Sequence, residues 1–78
     1  MENQEILKEI NVIVCNILNN NDLILTLQTT AKDIEGWDSL TNIQIITAIE
    51  KHFNIRFKLS EILDFKTIAD ICKQIINK

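Results

Sequence analysis

Apolar residues recur at three- and four-residue steps through most of this chain, the spacing of one buried face of an α-helix. From Glu5 to Asn19 the positions are Ile6, Ile10, Ile13 or Val14, and Ile17, which predicts a first helix. Glu2, Glu5 and Glu9 load its N-terminal half with negative charge, where the helix macrodipole favours it. The stretch "NNND" (Asn19 to Asp22) ends it, because Asn accepts left-handed backbone and competes for local hydrogen bonds. A second helix is expected from Ser39 to about His52, with Leu40, Ile43, Ile46, Ile49 and Phe53 as its buried stripe. "NIRF" (Asn54 to Phe57) breaks that helix, and Ser60 is expected to cap a short one holding Ile62 and Leu63. Thr67 and Asp70 resemble a capping box with Asp in place of Glu or Gln. The last helix, to about Ile76, then carries Ile68, Ile71 or Cys72, and Ile75.

The segment "LILTLQTTAKDIEGW" does not follow this period. Leu23, Leu25 and Leu27 alternate as in a strand, but no second segment offers matching strand and turn chemistry. It reads as a long ordered loop whose leucines and Ile34 pin it to a helical core. Loops of this length in a small domain are uncommon and tend to be functional, which draws attention to the residues at its C-terminal end.

With no proline, no repeat and no linker, the chain reads as one all-α domain over residues 1–78, a small helical bundle. It has three longer helices, a short third one, and a long loop between helices one and two. A domain this short buries roughly 60–65% of the surface that its unfolded chain exposes, so modest stability is expected. The apolar 46% is mostly Ile and Leu, with three Phe and one Trp. Such a core packs well but has no large aromatic cluster to anchor a drug-sized ligand.

Charge narrows the partners. The net charge is −3 and the basic residues are scattered singly, so there is no basic stripe for nucleic acid; the bias is mildly towards basic protein partners. Cys15 and Cys72 are the two cysteines, each in a helix-like segment. The N-terminus "MENQEILKEI" is charged from residue 2 and unlike a signal peptide, so free thiols in a reducing cytoplasm are expected. Neither cysteine has a second Cys or a His at metal-ligand spacing, so no metal is expected, and no apolar run is long enough to span a membrane. Nothing in the pattern calls for more than a monomer.

The chemistry concentrates in "DIEGWDSLT", residues 33 to 41, where the single Gly and the single Trp frame Ser39. One reading makes Ser39 the N-cap of the second helix. A nucleophilic serine is excluded: the elbow motif needs Gly two residues before and after the Ser, and Trp37 and Thr41 hold those positions. The lone histidine, His52, is thirteen residues further along the same predicted helix, roughly 20 Å from Ser39 and beyond hydrogen-bond reach. A third reading places a phosphate ester on the hydroxyl, against free N–H groups at the positive end of the helix dipole. Asp38 would repel that phosphate, and is better suited to being read by a cationic partner.

"GWDSL", preceded by a long loop and followed by an amphipathic helix, resembles the acyl carrier protein and thiolation-domain family. The resemblance spans nearly the whole chain in length, helix order, loop position, short third helix and mild acidity. It implies a four-helix bundle of acyl-carrier type, and a carrier, not an enzyme. It also implies that a phosphopantetheinyl transferase links 4′-phosphopantetheine from coenzyme A to Ser39. The arm's thiol would then hold an acyl or aminoacyl group as a thioester, delivered by a loading ligase or transferase and passed to downstream pathway enzymes. Asp38 and Leu40, with the second helix, would belong to the recognition surface.

Carriers of general fatty acid synthesis place several carboxylates along the outer side of the second helix. Here the outward candidates are Thr41, Asn42, Gln44, Ile45, Thr47, Ala48, Glu50 and Lys51, in which one acid is offset by one lysine. A dedicated carrier in a specialised pathway is therefore expected: polyketide or nonribosomal peptide assembly, or modification of a surface polymer. Thr41, Gln44, Ile45 and Ile62 are the recognition candidates. Ile45 lies off the predicted stripe and is read either as the far edge of the core or as an exposed docking contact; Ile62 carries the same ambiguity. Trp37 either packs the loop onto the bundle or flanks the arm. The alternative function is an unmodified helical adaptor of the same fold that binds a protein partner through helix two.

Overall fold

The computed structural model describes residues 2–78 and contains four α-helices. They are α1 (Asn3–Leu18), α2 (Ser39–Phe53), α3 (Leu59–Asp64) and α4 (Ile68–Ile76), with a short 3-10 turn at Ala31–Asp33. There is no strand among the described residues, and the all-α four-helix architecture expected from the periodicity is the one observed. The two longest helices end alike. Asn19 after α1 and Asn54 after α2 are left-handed, with φ of 54° and 56°. Their N–H groups turn back to the carbonyls of Cys15 and Glu50, so an asparagine supplies the terminator at both "NNND" and "NIRF".

The core is built of branched aliphatic side chains. Ile6, Ile10 and Val14 of α1 meet Ile45, Ile46 and Ile49 of α2 and Ile68, Ile71, Cys72 and Ile75 of α4. Leu25 and Phe57 enter it from the connecting segments. α1 packs on both of the other long helices, α2 and α4, and its Glu9 Oε1 meets His52 Nε2 of α2 at 2.7 Å. Both cysteines are free and buried, and burial pushes the Cys72 thiol above its usual range.

The long loop is held by polar contacts at both ends. On α1, the Asn11 side chain donates to Leu23 O (3.1 Å) and accepts from Leu25 N–H (2.7 Å). Further on, Leu27 O and Thr29 O accept the N–H groups of Ala69 and Ile68 at 2.9 and 3.0 Å. These carbonyls satisfy donors that the first turn of α4 leaves without intrahelical partners. The leucine alternation is thus a ribbon laid across the bundle, with Leu25 buried and Leu23 and Leu27 packed at its edge. Its backbone bonds go to a helix start and a side chain in place of a second strand.

α3 has no buried residue. Ile62 and Phe65 rest on the edge of the core, and Phe65 meets Phe57 edge-on with centroids 5.1 Å apart. Lys78 Nζ reaches Glu61 at 2.8 Å. The expected cap at Ser60 is not found: Lys58 is the N-cap, and its N–H donates to Glu61 Oε1 at 2.7 Å. Ser60 lies inside the first turn, because the extended backbone that a cap needs falls two residues earlier. At α4 the Thr67–Asp70 box forms as expected, with Asp70 Oδ2 accepting from the Lys66 and Thr67 N–H groups.

Candidate functional site

The start of α2 corrects the reading of Ser39 as its cap. Asp38 is the N-cap, extended at φ −116°, and its Oδ1 accepts from the N–H groups of Leu40 and Thr41, both at 3.0 Å. Thr41 completes the box from the other side: its Oγ1 accepts from Asp38 N–H at 2.8 Å and donates to Gly36 O at 2.7 Å. Asp and Ser are comparable caps, and the residue with extended backbone takes the role. The Thr41 N–H, with further help from the Thr41 hydroxyl and the Leu40 N–H, holds the Asp38 carboxyl below the usual carboxylate range.

Ser39 therefore occupies the first helical position, exposed, and its hydroxyl is not needed for the cap. A phosphate ester would fit there. It would gain from the positive end of a fifteen-residue helix. It would not be cradled by the N–H groups of Leu40 and Thr41, which Asp38 already holds, and that corrects the expectation of free donors at this terminus.

The approach to Ser39 is shaped by the residues ahead of it. Gly36 has φ +89°, a conformation that a side chain would strain. The turn it makes directs Trp37 back onto the core edge, where Nε1–H donates to Asn42 Oδ1 at 2.9 Å. Of the two readings of Trp37, packing the loop onto the bundle is what the structure shows. Asn42, expected among the outward residues, is half-buried as its partner. The signal for it was its position: three residues after Ser39, in register with Ile45, Ile46 and Ile49 on the inward face.

The buried stripe of α2 is rotated from the one expected. Ile45, a candidate docking contact by its spacing, is 0% exposed and lies in the core, whereas Ile43, expected inside, is 64% exposed. The cause is two overlapping apolar periods on one helix. The period through Asn42, Ile45, Ile46, Ile49 and Phe53 faces α1 and the rest of the core, which leaves Ile43 outside. Four residues after Ser39, Ile43 shares its side of the helix. The outer face then reads Leu40, Ile43, Gln44, Thr47 and Lys51, all exposed. Thr41 is half-buried and engaged in the cap, and Ile62 is half-buried on α3. His52 lies near the far end of α2 on Glu9. Among the described residues no three His, Cys, Asp or Glu side chains are grouped to hold a metal.

A sequence model described as "phosphopantetheine attachment site" matches residues 8–75. The chain is 29% identical over 66 residues to the acyl carrier protein of Phytoplasma australiense, covering 85% of this chain and 87% of that one. The acyl carrier protein of Onion yellows phytoplasma (strain OY-M) matches to the same extent. The fold is similar to the solution NMR structure of holo acyl carrier protein from Geobacter metallireducens, with a TM-score of 0.85 and 30% identity, covering 92% of this chain and 83% of the other.

Proposed function

The chain belongs to the phosphopantetheine attachment-site family, and on that premise we propose that Ser39 bears its 4′-phosphopantetheine prosthetic group and that the protein is a carrier, not an enzyme. When bound, the group supplies a terminal thiol that holds the cargo as a thioester. The protein's own contribution is display: Asp38 and Thr41 fix the first turn of α2, so the Ser39 hydroxyl projects from a rigid start. The observation that carries this reading is the exposed Ser39 at that position, relieved of the cap by Asp38. Partners are a phosphopantetheinyl transferase, a ligase or transferase that loads an acyl or aminoacyl group, and downstream enzymes. Two unbridged thiols suit a reducing cytoplasm.

The outer face of α2 supports a dedicated pathway over general fatty acid synthesis. Leu40, Ile43, Gln44 and Thr47 offer apolar and neutral polar contacts, and Lys51 is the charge among them. A partner reading this face matches shape and apolar surface, with Ile43 in the role that spacing alone suggests for Ile45. Asp38, Leu40, Gln44 and Ile62 remain recognition residues in this proposal, and Thr41 acts through the cap.

Intact-protein mass spectrometry tests it, after incubation with coenzyme A, magnesium and a broad-specificity phosphopantetheinyl transferase. Wild type is expected to gain one phosphopantetheine and Ser39→Ala none. No gain on folded wild type would leave Ser39 unmodified and favour the adaptor reading.

A further inference from the structure

We infer that the partner docking along α2 is acidic: Leu40 and Ile43 enter an apolar pocket beside its active-site entrance, and its carboxylates meet Lys51 and Arg56 beyond the far end of that face. The inference deepens the carrier proposal and rests on it, since Ser39 decides which end of the face lies at the entrance. The net charge of −3 taken alone favours basic partners, but the charge is unevenly spread. Asp33, Glu35 and Asp38 are exposed ahead of Ser39. Beyond them Ser39, Ile43, Thr47 and Lys51 form an exposed row at four-residue steps, and the charge in that row is a cation.

Two open troughs, each of about 470 Å³, follow this side of the helix and share Thr47 and Lys51 as walls. The first has Ile17, Ile43 and Ala48 in its walls. The second ends on Asn54 and Arg56. One acid, Glu50, borders it, and its Oε2 is taken by the Phe57 N–H at 2.8 Å. The neighbouring His52 is engaged by Glu9, and among the described residues neither Lys51 nor Arg56 forms an ion pair. At 1.5 Å per residue, Ile43 and Lys51 are roughly 12 Å apart along the axis, so one partner face can touch both. A basic patch opposite Lys51 and Arg56 meets like charge. Carboxylates there speed encounter and fix the register of docking. With acids before Ser39 and cations at the other end, the face accepts such a partner in one direction, which sets the Ser39 end at the entrance.

Amide NMR spectra of the isotope-labelled full chain test this with two helical peptides. Both carry the same pair of leucines, followed about eight residues later by two glutamates in one peptide and two lysines in the other. The glutamate peptide is expected to shift the amides of Ile43, Thr47, Lys51 and Arg56, and to bind there about five-fold or more tightly than the lysine peptide at low salt. That preference should shrink towards parity in about 0.5 M sodium chloride. It should reverse in the double variant Lys51→Glu/Arg56→Glu, whose substitutions fall at exposed positions. Equal binding of the two peptides, no response to the glutamate peptide, or a preference that the double variant keeps would overturn the acidic partner. So would shifts of the same amides with the concentration of the protein alone, which would make this face an interface between copies of the chain. Intact mass after incubation with coenzyme A and the transferase is read on the same wild-type sample. No gain there would remove the carrier reading, and with it the place of Ser39 at a partner's entrance, whichever peptide binds.

Discussion

The carboxylate of Asp38 accepts the N–H of Thr41 at 3.0 Å while the hydroxyl of Thr41 accepts the N–H of Asp38 at 2.8 Å, and this reciprocal pair frees Ser39 from any structural duty at the start of α2. The stability of this helix start and the modification proposed at Ser39 therefore fall on adjacent residues. Replacing one should leave the other measurable.

Asp38→Ala removes the cap and is expected to lower stability by about 1 kcal/mol. Ser39→Ala, at an exposed first-turn position, is expected to stay within about 0.5 kcal/mol of wild type. Urea titrations of the two variants decide the matter. Equal losses would return the cap to Ser39.

Acid should weaken the fold through its caps. Asp38, Glu61 and Asp70 all have carboxyls held below their usual range, chiefly by the Thr41 N–H, by the Lys78 side chain and by the Lys66 N–H respectively. A carboxyl lowered in the folded state contributes stability that is complete above its unfolded value and is lost as pH falls through its folded one. The urea midpoint should thus hold from neutrality to about pH 5, then decline from about pH 4 downwards. Asp38→Asn keeps the acceptor without the titration, and its decline should be shallower. A midpoint unchanged between pH 5 and 2.5 would show that the caps do not titrate with folding.

Ile43 and Ile45 should exchange the roles that the helical period suggests. Ile45→Ala empties a fully buried site and is expected to cost about 2–5 kcal/mol, a large share of the 5–15 kcal/mol typical of whole domains. Ile43→Ala should change stability by less than about 0.5 kcal/mol, and should slow loading by a partner that docks on α2. Denaturation midpoints and loading rates of the two variants separate core from contact surface.

Asn11→Ala should release the long loop from α1. The Leu25 N–H loses its acceptor at a part-buried position, which is expected to cost about 1–3 kcal/mol. Hydrogen exchange of the Leu25 amide should accelerate markedly, while that of Ile68 and Ala69, held by the far end of the loop, should respond less. Equal protection at Leu25 in both proteins would show that leucine packing alone fixes the loop.

Features that depend on near neighbours were legible in the chain alone. Helical spacing located the three longer helices, the two asparagine-led breaks fell where the backbone turns left-handed, and "GWDSL" singled out the candidate site, because each is a local preference that few long-range contacts override. Packing between distant segments settled the rest. On α2, Ile43 and Ile45 both fit an apolar period, and only the position of α1 and the rest of the core selects which is buried. Asp38 and Ser39 can each cap a helix, and the choice depends on where the loop, bent at Gly36 and tied to Thr41, delivers extended backbone. The alternating leucines have the pattern of a strand, yet their ribbon finds its partners in Asn11 and the first turn of α4. Those partners are far away in the chain, and a local pattern carries no information about what will lie beside it.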